Sequence, residues 1–145
     1  MKINNKGFTL VELLAVLAII AIIGMIAIPN VISVVDNNKK DLMLQDAQKM
    51  VSLAKAEVIK DRVFRDDPNQ KTKKYYLKDL DSKNVLATDP DGGVYDKEES
   101  YVEYTKSVGY CVRLIGEKRV IRASKTSNAC VPEEKLSNRA LVFDK

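Results

Sequence analysis

Apolar residues dominate the chain from Phe8 to Ile28, and from Leu13 to Ile28 there is no polar side chain at all. As a helix, those 21 residues extend about 32 Å at ~1.5 Å per residue. That matches a bilayer core of ~30 Å. Beyond Pro29 the pattern changes. Leu42, Met43, Ala47, Met50, Val51, Ala54 and Val58 recur at three- and four-residue steps, with lysines and acids between them. This is the stripe of an amphipathic helix. The spacing predicts one helix from about Phe8 to Val63, apolar in its first half and amphipathic in its second. Asp66-Asp67-Pro68-Asn69 should end it, because proline restricts its predecessor and cannot continue a helix.

Lys71–Lys74 reads as a polar link, and Tyr75–Leu80 is open between a helical turn and an extended piece. Asp89-Pro90-Asp91-Gly92-Gly93 is a turn. Strands follow at Tyr101–Lys106, at Val108–Ile115 and at Arg119–Ser124. In the second, Val108, Tyr110, Val112 and Leu114 share a face. Gly116-Glu117 connects the second to the third. The fold class is α+β, a long N-terminal helix packed on a small antiparallel sheet.

Composition adds three constraints. The 145 residues allow one modest core beside a membrane helix, not two. Twenty-four basic and 20 acidic residues give a net charge of +4, a mixed surface that does not by itself imply nucleic acid. Lys2 and Lys6 precede the apolar run and should hold the short N-terminus in the cytoplasm, leaving the bulk of the chain outside. The two cysteines, Cys111 and Cys130, then suit a disulfide in an exported segment.

Glu12 is the anomaly. A charged side chain at the centre of a spanning helix costs about 2.5–3.5 kcal/mol on insertion scales, and such residues mark partners or pathways. Glu12 lies nearer the end, where the cost is smaller, but it still calls for a partner. A secretory signal peptide fits poorly, since the run is long and lacks a small-residue cleavage site. A plain anchor explains neither Glu12 nor the Lys6-Gly7-Phe8 junction.

Lys6-Gly7-Phe8-Thr9-Leu10-Val11-Glu12-Leu13-Leu14 resembles the processing motif of type IV pilins and pseudopilins, and the apolar helix and Pro29 resemble that family too. The resemblance covers residues 1–65 well and the remainder in outline. It implies a leader at 1–7, a transmembrane or filament-core helix at 8–28, an amphipathic helix at 29–65 and a globular head at 66–145. It implies cleavage after Gly7 by a prepilin peptidase and N-methylation of Phe8. Glu12 would set assembly registry by facing the Phe8 amine, since two poorly solvated opposite charges attract strongly. Gly24 and Pro29 would form a helix break that can unwind on packing, Pro29 lacking the N–H that the Met25 carbonyl needs. A Cys111–Cys130 bridge resembles the C-terminal disulfide loop of pilin heads.

Other chemistry is sparse. Arg113, Lys118, Arg119, Arg122 and Lys125 lie between the cysteines against Glu117 alone, an anion-patch candidate for DNA or an anionic surface polymer. Tyr104 and Tyr110 are candidates for base stacking. The alternative is a solvated hairpin with packing tyrosines. Asp89, Asp91 and Asp96 are a weak calcium candidate, without the spacing of a helix-loop-helix calcium site, and a plain turn is the favoured reading of them. The chain has no histidine, no phosphate-cradling glycine loop and no zinc-type cysteine pair, so neither an enzyme nor a cofactor is expected.

The resulting expectation is a structural subunit of a type IV pilus for adhesion or surface motility, made in the cytoplasmic membrane and assembled into a surface filament. Its partners would be identical or related subunits, the peptidase, and an assembly ATPase with its membrane platform. The alternative is a pseudopilin of a DNA-uptake or type II secretion-like apparatus. A third is a membrane-anchored binding domain that is never cut.

Overall fold

The structure, a computed structural model, describes residues 9–145. The chain divides into two compact units, Met1–Asp36 and Asn37–Lys145. Helix α1 (Leu10–Lys60) contributes to both.

In the first unit, the large apolar side chains of α1 are exposed on every side, Leu13, Leu17, Ile20 and Ile23 among them. A helix that is apolar all round belongs inside lipid or protein, and this one is long and apolar enough to cross a membrane. It passes Gly24 and Pro29 without interruption. The expected break is therefore a weak point in a continuous helix: proline removes one backbone hydrogen bond while the residues around it still propagate the turn. Just beyond it, the Asn30 side-chain amide donates to the Ile26 carbonyl at 3.1 Å, and the Ser33 hydroxyl donates to the Asn30 carbonyl at 2.9 Å.

The second unit is α+β. Its part of α1 buries Met43, Leu44, Ala47, Met50, Val51, Ala54 and Val58. Leu44 takes the place expected for Leu42, which is half-exposed, because positions 44, 47 and 51 continue the inward face while 42 falls on its flank. Each large side chain buried this way contributes about 1.5–3 kcal/mol. α1 ends at Lys60, slightly earlier than the stripe suggested, because Asp61 caps a short α2 (Arg62–Asp66) by accepting the Phe64 N–H. The chain becomes extended at Asp67, just before Pro68, as expected of a residue preceding proline.

Six strands follow: β1 (Thr72–Tyr76), β2 (Tyr101–Thr105), β3 (Gly109–Ile115), β4 (Arg119–Ile121), β5 (Val131–Pro132) and β6 (Val142–Asp144). They are antiparallel in the order β1-β2-β3-β4-β6, and β5 pairs with β3. The far edge of β3 is shared, Cys111 and Val112 pairing with β5 and Leu114 and Ile115 with β4. Tyr75, Val102, Val112, Leu114, Ile121 and Val142 point inward onto the α1 stripe and form one core with it. Tyr110 joins that face, but Val108 is exposed before the strand begins. Tyr75–Leu80 proves to be both of the expected alternatives, the end of β1 and a turn of helix, α3 (Leu77–Leu80).

Three polar clusters tie the head together. Asp61 accepts from the Phe64 N–H, the Tyr75 hydroxyl at 3.1 Å and the Lys73 ammonium. The Lys73 bond is the main reason its carboxyl is held below the usual range. Asp46 on α1 accepts from Tyr95 at 2.7 Å. Arg139 forks onto Asp41 of α1 at 2.5 and 2.6 Å, fastening the C-terminal segment to the helix.

Candidate functional site

Gly7 and Phe8, the expected cleavage and methylation positions, lie outside the described residues, as does the leader 1–7. The described part of the site begins at Thr9. Its backbone N–H and its hydroxyl both donate to one Glu12 carboxylate oxygen, at 2.9 and 3.0 Å. The Glu12 N–H donates back to the Thr9 hydroxyl at 3.3 Å. This reciprocal pair is a capping box, Thr-x-x-Glu, which satisfies amide groups that a helix start leaves unpaired. Sequence reasoning missed it although the spacing was legible. Glu12 is thus anchored at the first turn, three residues from Thr9, with its carboxylate turned back towards the N-terminal side. A new ammonium created at Phe8 would adjoin that cap in sequence, and a carboxylate at a helix N-terminus is also favoured by the helix dipole.

The expected disulfide is present between Cys111 and Cys130, with Cα atoms 5.4 Å apart. Cys111 pairs with Pro132 across β3–β5, so the bridge reinforces a two-residue strand that could not hold itself. Glu103 lies opposite Cys111 on β2. Glu103 and the two cysteines are the described donors that converge within 4.8 Å of one another. The sulfurs are bonded to each other, which removes them as metal ligands.

The aspartates of the turn are occupied otherwise. Asp89 is buried and its Oδ1 accepts from the Asp91 and Gly93 N–H groups, both at 2.9 Å. Its Oδ2 accepts from the Glu117 N–H at 2.6 Å. Burial pushes the carboxyl up, but these amides outweigh it and hold it below the usual range. Gly92, at φ +90°, makes the turn that aims its neighbours at Asp89. Gly116 lies so close that a Cβ there would stand 2.7 Å from Asp89 Oδ2. Asp91 receives Arg119 at 2.6 and 2.7 Å and Lys39 of α1 at 3.1 Å. Asp96 accepts from the Glu98 and Glu99 N–H groups. These bonds fix loops, and they leave the three carboxylates turned to separate tasks rather than converging on an ion.

The five basic residues between the cysteines do not form one patch. Strand alternation separates them. Arg119 shares a face with Ile121, reaches Asp91 and lies 3.6 Å from Asp144. Arg113 and Arg122 are on the opposite, outer face, half-buried. Lys118 and Lys125 are exposed in turns. Tyr104 and Tyr110 pack against the core, their ring centroids 4.6 Å apart, so they do not offer stacking surfaces on the outer face.

The comparisons with known proteins bear on the N-terminal segment. The family described as the prokaryotic N-terminal methylation motif matches residues 2–28. Neither a curated protein nor a solved structure matches the chain. The matched stretch holds the Gly7-Phe8 junction, the Thr9–Glu12 cap and the apolar part of α1, and these fit a membrane-anchored precursor. Over residues 2–28 the chain therefore carries the prokaryotic N-terminal methylation motif, the prepilin signal of type IV pilins and pseudopilins.

Proposed function

We propose that this chain is a structural subunit of a type IV pilus, polymerising through α1 after cleavage between Gly7 and Phe8. The observation that carries this reading is the methylation motif at residues 2–28 continuing into an exposed apolar helix whose later turns support a small α+β head. The apolar surface of Leu10–Asp36 moves from lipid into a bundle of like helices, so it stays covered throughout. Glu12, already turned back over the first turn, sets axial register by meeting a Phe8 ammonium. The disulfide stabilises the C-terminal part of the head, which faces outwards, against conditions outside the cell.

The test is to express the chain in a host with and without a prepilin peptidase, shear the cell surface and image the sheared fraction. Filaments that contain the chain and need the peptidase are the expected result. A full yield without the peptidase contradicts the reading. Loss of DNA uptake or secretion on deleting the gene, with surface filaments unchanged, would favour the pseudopilin alternative, which uses the same prepilin chemistry.

A further inference from the structure

Glu103 stands where a carboxylate gains little. It lies on the outer face of the sheet, directly opposite Cys111 across the β2–β3 register. Lys74 pairs with it from β1, but the ammonium is 3.6 Å away, an ion pair without a close hydrogen bond. Beside it are the two bonded sulfurs of Cys111 and Cys130, which have no hydrogen to donate. All three residues are half-buried. A polar group taken out of water without close partners is poorly compensated.

The three groups nevertheless converge. A Glu103 carboxylate oxygen and the two sulfurs lie within 4.8 Å of one another. Two thiolates on one tetrahedral zinc ion, at Zn–S ~2.3 Å, stand roughly 3.8 Å apart. With Cα atoms 5.4 Å apart, the cysteines reach that separation by side-chain rotation. Glu103 and Cys111 sit on adjacent strands in the middle of the sheet, so two of the three donors are placed by the scaffold before any ion arrives. Cys130 immediately precedes β5, which pairs with β3 through Val131 and Pro132.

We propose that the reduced head holds one zinc ion on the Cys111 and Cys130 thiolates and the Glu103 carboxylate, with water in the fourth position. Two soft sulfurs and one oxygen suit zinc, whereas calcium and magnesium take oxygen ligands. The disulfide and the metal site are alternative forms of one clasp. Either form ties Cys130 to β3, and with it the two-residue strand β5 and the fully buried Val131. The change from one to the other is thiol–disulfide exchange. A dithiol reductant attacks one sulfur, the Cys111–Cys130 bond breaks through a mixed disulfide, and the second thiol of the reductant releases the other cysteine. The reductant leaves as its own disulfide, and two electrons and two protons pass to the cysteines. Zinc binding then releases both thiol protons to solvent. The site lies within the second unit and does not depend on whether the chain is processed or polymerised.

The experiment uses the full-length protein in non-ionic detergent, reduced with a dithiol that is then removed under nitrogen. Cobalt(II) is titrated in as a coloured stand-in for zinc, followed by zinc itself. One equivalent per chain should give thiolate-to-cobalt charge transfer and the visible bands of a four-coordinate ion, and zinc should bleach both. The oxidised protein should give neither. Loss of an outer partner alone costs about 10–100-fold in metal affinity, so Glu103→Gln, which removes a ligand, should weaken binding at least about tenfold. That variant should still form the disulfide and melt like the parent when oxidised. Glu99→Gln, altering another acid of the head, should change nothing. Zinc should also slow reoxidation of the parent by oxidised glutathione. No charge transfer in the reduced protein overturns the proposal, as does binding that survives Cys111→Ser/Cys130→Ser. A chain unfolded by reduction would bind cobalt through its thiols alone. Glu103→Gln would then be silent, and that result overturns the site as well.

Discussion

Asp89 is the head's most demanding polar residue, and its removal has a calculable cost. Its carboxylate accepts three backbone N–H groups, from Asp91, Gly93 and Glu117, at 2.9, 2.9 and 2.6 Å. Hydrogen bonds to a charged group each contribute about 1.5–3 kcal/mol. A simple sum for Asp89→Ala would be about 4.5–9 kcal/mol. Part of the loop is exposed and water can replace some of these bonds, so the expected loss is about 3–5 kcal/mol, a large share of a typical 5–15. Asp89→Asn should cost less, about 2–3 kcal/mol. The amide oxygen can still accept from Asp91 and Gly93, but its NH₂ would face the Glu117 N–H, donor against donor. At roughly 4 °C per kcal/mol for a domain near 100 residues, the alanine variant should melt about 10–20 °C lower. Thermal unfolding followed by near-ultraviolet circular dichroism on the detergent-solubilised chain reads the difference. A loss below about 1 kcal/mol for Asp89→Ala, or an asparagine variant less stable than the alanine one, would refute the reasoning.

Glu12→Ala should leave peptidase cleavage largely intact and reduce filament number, counted by electron microscopy after shearing; normal filament numbers would remove its registry role. Replacing Cys111 and Cys130 together by serine should destabilise the head by about 3 kcal/mol, the chain-entropy value for a loop of this size, measured by denaturant unfolding with and without reductant. The carboxyls of Asp61 and Asp89 are both held below their ordinary values in the folded chain. The stability they contribute is therefore fully present above their unfolded pKa of ~3.9 and is lost as pH falls through their lower folded values. Unfolding from pH 6 to pH 2 should show a fall below about pH 4 that is shallower in Asp89→Asn.

Long-period patterns made much of this fold legible. The apolar run and the stripe through Met43, Ala47, Met50, Ala54 and Val58 each extend over several turns, enough for a period to stand out. The hairpin from Gly109 to Ile121 was legible because one face of it alternates. β1 was not, because Thr72-Lys73-Lys74-Tyr75-Tyr76 is an edge strand, and lysines protect an exposed edge at the expense of its apolar signal. β5 and β6 are two and three residues long, too short for any period. The Thr9–Glu12 cap was legible in its Thr-x-x-Glu spacing ahead of the apolar run, although the charge of Glu12 drew the reading towards a partner on another chain. Among the basic residues, spacing alone grouped Arg119 with Arg122, whereas a sheet sends them to opposite faces once Ile121 is known to be inside. That Glu117, 28 residues away, completes the shell of Asp89 is a tertiary fact that no local pattern carries.

The central claim is that the motif at residues 2–28 is used, so that the chain is cut between Gly7 and Phe8. Intact-mass and N-terminal fragment measurement of the protein, made with and without an active prepilin peptidase, tests it most directly. The account predicts a product beginning at N-methylated Phe8 only when the peptidase is present. A product that keeps Met1 to Gly7 beside an active peptidase would contradict it, and would leave a membrane-anchored head that is never assembled.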